Sequence, residues 1–206
     1  MEPLLRAAAD RLIHHSAYLR YVVDQMTPEE LEARCAATGY TMRETFAHCV
    51  LWLEWIEPVA RKLIAEGAET FEPLDDDAMN AAARARLGSV AVPELLERMA
   101  AARDELIAVF ATATHARAVE QLGGDSIGAT LLRWTTHLER HALDIAETLP
   151  ELRYDSLLLD WALSADYRDE GEAARQARLI EDVRAYLATL PEDEDQDEDD
   201  FENEAE

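Results

Sequence analysis

The sequence is poor in residues that interrupt, cross-link or anchor a chain. Its 206 residues include only two cysteines, seven glycines and seven prolines. Cys35 and Cys49 are too few for a disulfide framework, and the low glycine and proline contents favour a helical globular protein over a fibrous or disordered one. No apolar run approaches the roughly 18 residues of a membrane-spanning helix. The first residues have neither the basic nor the apolar region of a signal peptide, so we expect a cytoplasmic protein.

Basic residues are scarce as well. The chain has 19 Lys and Arg against 44 Asp and Glu, which gives a formal net charge of −25. Such a charge repels phosphate backbones and anionic lipids. We therefore expect no nucleic-acid partner and no membrane partner. A cation and a small-molecule substrate are the expected ligands. The sequence leaves open whether the protein forms a homodimer.

Much of the acidic charge lies at the C-terminus, where 11 of the 15 residues from Glu192 to Glu206 are Asp or Glu. A block of like charge buries too little apolar surface to offset chain entropy, so residues 191–206 are predicted to form a disordered acidic tail. The tail either solubilises the protein, collects divalent cations weakly or contacts a partner. Before it, we expect a bundle over residues 1–166 and a helical extension over residues 167–190, packed on the same domain.

Apolar residues recur at spacings of three and four along most of the chain, which predicts helices. A first helix of about six turns has a seam that begins at Leu5. Thr27, followed by proline and two glutamates, is expected to open a short connecting helix. Thr41 and Glu44 have the spacing of a capping box and open a second long helix, which Gly67 ends.

A long crossover separates the second long helix from the third. It covers residues 68–91 and is expected to contain a short helix near residues 78–86. Pro93 opens the third helix, and Asp125 or Ser126 caps the fourth. No segment alternates with period two over enough residues to predict a strand. Four long amphipathic helices with one crossover predict an all-α, up-down four-helix bundle, a fold whose core can hold a metal site.

The most informative pair of residues is His137 and His141, four positions apart in the fourth helix. On a helix, both imidazoles leave the same face about one turn apart, close enough to share one metal ion. Leu138 occupies the position where a zinc peptidase would have its glutamate, which argues against a peptidase. Because some chains with six histidines contain such a pair by chance, a third ligand is required.

His48 on the second long helix is the candidate for that third ligand. It shares an apolar stripe with Trp52, Trp55 and Val59, and it is the one side chain on the stripe that can bind a metal. A lone histidine on an apolar face is more often a hydrogen-bonded core residue. With the histidine pair of the fourth helix it completes three imidazoles. Catalytic zinc sites have three protein ligands and one open position, and this set fits that type.

At this point the chain resembles a known family. Three features in this order carry the resemblance: the segment Tyr40-Thr41-Met42-Arg43-Glu44-Thr45-Phe46-Ala47-His48, the long crossover, and the Ser126-Ile127-Gly128 segment leading into His137-x-x-x-His141. Over residues 4–165 the chain is similar to the DinB / YfiT-like superfamily of four-helix-bundle metalloenzymes. The resemblance implies that His48, His137 and His141 bind a divalent metal, nickel or zinc. Some relatives, the mycothiol-dependent maleylpyruvate isomerases and bacillithiol transferases, use it to activate a low-molecular-weight thiol. The isomerases have a glutamate where this chain has His137, so their substrate does not transfer.

Further residues are candidates for supporting the metal or lining a pocket. Glu44, one turn before His48, and Asp144, three residues after His141, are the nearest carboxylates that would orient the imidazoles. Either is equally well explained as a solvated helix charge. The candidates for lining a pocket are His15, Trp52, Trp55 and Trp134. Core packing is the competing explanation for His15.

Several functions are consistent with these residues. The first is a metal-dependent transferase or hydrolase with an open three-histidine site, with a thiol as a cosubstrate in the transferase case. The second is a helical bundle that binds metal without catalysis, as a binding or stress-response protein. A di-iron bundle is disfavoured because the Glu-x-x-His motif is absent, and a serine hydrolase because Gly-x-Ser-x-Gly is absent. No catalytic residue is assigned, and the enzyme class stays open.

Overall fold

A computed structural model of the protein describes residues 1–35, 38–71 and 76–149, together with isolated helical positions between residues 174 and 185. Within this part of the chain, helices account for nearly all regular structure, and the one sheet is a two-stranded hairpin. The predicted all-α fold is confirmed. None of the described helices has the length and apolarity needed to cross a membrane.

The helices follow one another with short connections. In chain order they are α1 Pro3–Gln25, α2 Pro28–Leu31, α3 Met42–Glu66, a 3-10 turn Ala68–Thr70, α4 Asp76–Leu87, α5 Val92–Ala111, α6 His115–Ala118, α7 Ile127–Thr135 and α8 His137–Thr148. Strands β1 Gln121–Leu122 and β2 Asp125–Ser126 form the antiparallel hairpin between α6 and α7.

Capping hydrogen bonds begin α2 and α3 at the residues predicted from the sequence. The side chain of Thr27 accepts from the backbone N–H of Glu30, and the Glu30 carboxylate accepts from the backbone N–H of Thr27, so α2 begins as predicted. Thr41 and Glu44 form the same reciprocal pair at the start of α3. Gly67 ends α3 with a φ of +105°, a left-handed conformation that favours glycine.

The long helices surround one apolar core. Helix α3 packs against α5, and α1 packs against both α5 and α7. Helix α8 contacts α1 and α3, so the four long segments close a ring, with α4 lying against α3. Residues of the predicted first seam are buried, namely Leu5, Ala8, Leu12, His15, Leu19, Val22 and Met26. Burial of these apolar faces is the main source of stability for such helices.

The predicted fourth helix is in fact two helices, separated at Thr136. The hydroxyls of Thr135 and Thr136 donate to the carbonyl oxygens of Leu132 and Arg133, each at 2.6 Å. Side-chain bonds of this kind compete with the helical backbone pattern and bend or interrupt helices. The prediction of one continuous helix was therefore wrong, and α8 begins directly at His137.

Two small elements were not predicted from the sequence. Helix α6 is a single turn capped by Thr114, and the β1–β2 hairpin turns at Gly123 and Gly124, with a φ of +64° at Gly123. Two residues per strand are too few for an alternating pattern to be recognised. The short helix predicted near residues 78–86 is confirmed as α4, which is longer than expected.

The predicted division of the C-terminal part is not tested. The end of the bundle near residue 166, most of the extension over residues 167–190 and the whole acidic tail over residues 191–206 lie outside the described residues. These boundaries stay predictions.

Candidate metal centre

Three imidazoles from two helices meet at one point of the bundle. His48 lies in the second turn of α3, on the stripe predicted for it, and is buried. His137 is the first residue of α8, and His141 follows one turn later on the same face. We refer to these residues as the three-histidine cluster. The contact of α3 with α8 therefore brings together the three histidines that the sequence singles out.

The ring nitrogens of the cluster point at one another. The Nε2 atoms of His48 and His137 are 2.6 Å apart, and those of His137 and His141 are 3.2 Å apart. One ligand atom from each residue lies within 4.8 Å of the others, which makes the cluster a group that could hold a metal ion. In a tetrahedral site with metal–nitrogen bonds of about 2.05 Å, ligand nitrogens are about 3.3 Å apart. The cluster is compatible with metal binding after a small outward movement of His48.

The surroundings of the cluster favour the neutral form of His48 and His137. Burial, followed by the nearby His141, lowers the pKa of His48 to about 3, while Asp144 acts in the opposite direction. Burial also holds the pKa of His137 well below its usual value, with smaller effects from His141, His48 and Arg140. Neutral imidazoles keep the lone pairs that metal coordination needs.

Two contacts fix the orientation of the rings. The Nδ1 atom of His141 donates to Asp144 Oδ2 at 2.9 Å, which leaves Nε2 of His141 as the atom that faces the cluster. The indole of Trp52 stacks on the ring of His137, with centroids 4.1 Å apart and planes inclined by 19°. Trp52 is itself held, because its Nε1–H donates at 3.2 Å to the carbonyl of Trp134, in the last turn of α7.

A cavity of about 350 Å³ opens in front of the cluster. Its volume lies at the lower end of the range for small-molecule sites. The wall comes from the segment before α3, from α3, from α4 and from α8, and is lined by Thr38, Tyr40, His48, Trp52, Met79, Asn80, His137, Arg140 and His141. All three histidines are thus accessible from one compartment.

Four of the predicted supporting residues lie away from this cavity. Glu44 accepts from the backbone of Thr41 at 2.8 Å, so its carboxylate caps α3 and does not hold an imidazole. Trp55 and Trp134 pack against the apolar core, and only Trp52 of the three predicted tryptophans is among the cavity-lining residues. His15, in α1, is buried against another face of α8, where it contacts Glu139.

His15 belongs to a polar pair that was not recognised in the sequence. Its Nε2 atom donates to Glu139 Oε1 at 2.6 Å, and Arg11 Nη1 lies 3.6 Å from the same oxygen. Both members of this His15–Glu139 pair are about 4% exposed. Burial lowers the pKa of His15, although Glu139 acts to raise it. The pair joins α1 to the face of α8 opposite His137, because positions two residues apart on a helix point in nearly opposite directions.

Cys49, which follows His48 in the sequence, packs in the apolar core. It is fully buried in the core, and burial together with Asp144 raises the pKa of its thiol far above the usual range. Among the described residues, the group whose ligand atoms lie close enough to share one ion consists of the three histidines and does not include Cys49. Among the residues that line the cavity, Arg140 was also missed. Its spacing of three from His137 places it near the same helix face and was the signal that could have found it.

Comparison with known families gives one match. The chain matches the family described as the DinB superfamily over residues 11–145, which is more than half of its length. The matched region contains the whole three-histidine cluster and Asp144. No curated protein and no solved structure matches the chain.

Proposed function

Because the chain belongs to the DinB superfamily, we propose that it binds a divalent metal ion through His48, His137 and His141 and uses it in a transferase or hydrolase reaction on a small molecule. The observation that carries the proposal is the convergence of three imidazoles at the inner end of an open cavity. Nickel or zinc is the proposed metal, since imidazole ligands suit both.

The donor set fits such an ion. Among the described residues, the buried Nδ1 atom of His48 has no hydrogen-bond partner, and its Nε2 atom lies 2.6 Å from a ring nitrogen of another histidine. A ring in this position lacks the carbonyl or carboxylate partner that an ordinary buried histidine has. A cation shared with the other two rings supplies the missing interaction.

The arrangement favours a catalytic type of site over a structural one. Structural zinc sites are usually closed by four protein ligands, whereas the cluster has three and faces a cavity. When bound, the metal would lower the pKa of a water or thiol in the cavity and so provide a nucleophile near neutral pH. A low-molecular-weight thiol is the proposed cosubstrate of the transferase reaction.

The residues of the chain prepare the site in three ways. Asp144 keeps the proton of His141 on Nδ1, away from the cluster. Trp52 limits rotation of the His137 ring and covers one side of it with an apolar surface. Burial keeps His48 and His137 neutral, so protons compete weakly for their nitrogens at pH 7. Each of these effects would favour metal binding by the three imidazoles, which line the cavity together.

Metal titration of histidine variants tests the site. We expect His48→Ala, His137→Ala and His141→Ala each to lower the affinity for nickel and zinc by one to several orders of magnitude, with helical content nearly unchanged. Isothermal titration calorimetry and circular dichroism provide the two measurements. His115→Ala is the matched control, because His115 is exposed on α6. Affinity at the wild-type level in all three cluster variants would refute the assignment.

A conjugation assay tests the reaction class. Metal-loaded protein is given monochlorobimane and a panel of cellular thiols, and we expect a rate that disappears on chelation and in His137→Ala. The competing function is metal binding without catalysis. A metal-loaded sample with no rate above that of the metal-free protein would favour that function over the transferase.

A further inference from the structure

Helix α1 has a stripe of exposed residues on the side away from its buried seam. Successive members of the stripe are separated alternately by four and three positions, which is the spacing of a helix that contacts a second helix along its length. Every member is exposed. We call these residues the outer stripe of α1: Arg6, Asp10, Ile13, Ala17, Arg20 and Asp24.

The centre of the outer stripe is apolar. Ile13 is 50% exposed, which makes it the most exposed large apolar side chain among the described residues. Ala17 lies one turn after it on the same side of the helix. Since single apolar residues are common on protein surfaces, this centre does not by itself indicate a partner. The charged residues on either side of it provide a second observation.

The charges of the outer stripe are arranged to complement a second copy of the same stripe. If two α1 helices pack antiparallel about a two-fold axis near position 15, residues at equal distances on either side of that position lie opposite each other. A parallel pairing would place like charges together. The antiparallel pairing places Arg6 opposite Asp24, Asp10 opposite Arg20, and Ile13 opposite Ala17, and the symmetry makes each contact twice.

The stripe is locally neutral in a strongly acidic protein. Two copies with a net charge of −25 each repel one another, and the repulsion is weakest where arginines balance aspartates. Arg20 Nε lies 3.9 Å from Asp24 Oδ2 of the same helix, and both side chains are more than half exposed. An exposed pair of this kind is weak, and a guanidinium group has five N–H donors, so Arg20 can contact a second carboxylate.

We propose that the outer stripe of α1 is a contact surface between two copies of this chain, packed as an antiparallel helix pair. From Arg6 to Asp24 the contact extends over about 27 Å, which places the interface at the small end of the range for specific complexes. The dimer is therefore weak, with a dissociation constant between about 10 μM and 1 mM. None of its residues lines the cavity, so metal binding should not depend on it.

A charge exchange between two variants tests the pairing by sedimentation velocity of the full chain. Salt at about 150 mM screens the long-range repulsion and leaves charges in direct contact. Arg20→Asp faces Asp10 of the second copy, and Asp10→Arg faces Arg20. Each variant alone should dimerise about ten-fold more weakly than wild type, because both symmetry-related contacts become repulsive.

An equimolar mixture of the two variants restores opposite charges at both contacts and should dimerise within about three-fold of wild type. Arg61→Asp is the matched control, because it makes the same charge change in α3, where Arg61 pairs with Glu57 of its own helix. It should dimerise like wild type. A mixture that associates no more strongly than the single variants overturns the proposal, as does a wild-type protein that is monomeric at about 1 mM.

The other possible occupant of the stripe is the segment 150–190 of the same chain, and Ile13→Asp separates the two. We expect Ile13→Asp to be monomeric, with a thermal midpoint close to that of wild type, because an exposed position contributes little to the stability of the monomer. A wild-type protein that is monomeric and whose midpoint is several degrees above that of Ile13→Asp would place segment 150–190 on the stripe and overturn the proposal.

Discussion

Helix α8 has buried polar residues on two faces, and the two groups are built on opposite principles. In the His15–Glu139 pair, a donor meets an acceptor at 2.6 Å, and the carboxylate also lies 3.6 Å from Arg11. In the three-histidine cluster, basic nitrogens face other basic nitrogens, and no carboxylate is found among the described residues that line the cavity in front of them.

The difference separates a structural group from a ligand-binding one. Glu139 acts to raise the pKa of its histidine partner, whereas His141 acts to lower the pKa values of His48 and His137. The His15–Glu139 pair therefore has a matched donor and acceptor and contributes to the packing of α1 on α8. In the cluster, ring nitrogens face one another, so we expect it to reduce the stability of the metal-free protein, a pattern typical of functional sites.

The largest effect on stability is expected from removing one member of the His15–Glu139 pair. Glu139→Ala removes the acceptor of His15 and leaves Arg11 beside a buried gap, so the free energy of unfolding should fall by about 3 kcal/mol. Urea denaturation at pH 7.5 measures the change. Glu139→Gln keeps one acceptor and is the matched control, with a smaller loss. A loss below about 1 kcal/mol in Glu139→Ala would show that the pair contributes little to packing.

An intermediate effect on stability is expected from lowering the pH below 6.5. His48 and His137 have pKa values in the folded, metal-free protein that lie below the ordinary value of 6.5, so the unfolded chain binds more protons as the pH falls below 6.5. Their contribution to stability is complete above pH 6.5 and is lost below it, down to about pH 3 for His48. Between pH 6.5 and pH 5.5 the expected loss is about 1 kcal/mol for each histidine.

Denaturation of the chelated protein across this pH range provides the measurement, and His48→Leu should show a smaller loss than wild type. Identical pH dependence in the two proteins would contradict the neutral state assigned to His48. The comparison between variants removes the contribution of carboxylates, which both proteins share.

The smallest effect on stability is expected from replacing one imidazole of the three-histidine cluster with an apolar side chain. His48→Leu replaces a buried ring that has an unpartnered Nδ1 atom with an apolar side chain, so the metal-free protein should become more stable by about 1 kcal/mol at pH 7.5. The same variant should lose metal binding. Thermal unfolding with and without zinc measures both properties, with the exposed His115→Leu as control. A loss of stability in the metal-free His48→Leu protein would place His48 with His15, as a structural residue.

Features that depend on neighbouring residues were predictable from the sequence. The capping pair of Thr41 and Glu44 needs only a spacing of three, and the structure has it as predicted. The convergence of His48 with the pair on α8 followed from two helical stripes that had to face the same core. The hydrogen bond of Asp144 to His141, three residues apart, is of the same local kind.

Features that depend on the choice of a distant partner were not predictable. His15 and Glu139 are 124 residues apart, and nothing in either local sequence indicates the other. The interruption at Thr136 depends on whether two hydroxyls donate to the helix backbone or to solvent. Met79 and Asn80 reach the cavity only because α4 packs against α3, and the moderate apolar pattern of α4 does not specify that contact.

The stacking of Trp52 on His137 also makes the site visible to an optical measurement. The chain has four tryptophans, but among the described ones only Trp52 has its indole in contact with a cluster imidazole. Its fluorescence emission therefore depends on what that imidazole binds. Nickel has a partly filled d shell and quenches a nearby indole, whereas zinc has a filled d shell and does not quench by that route. The protein thus contains its own label-free reporter, which distinguishes the two metals during a titration.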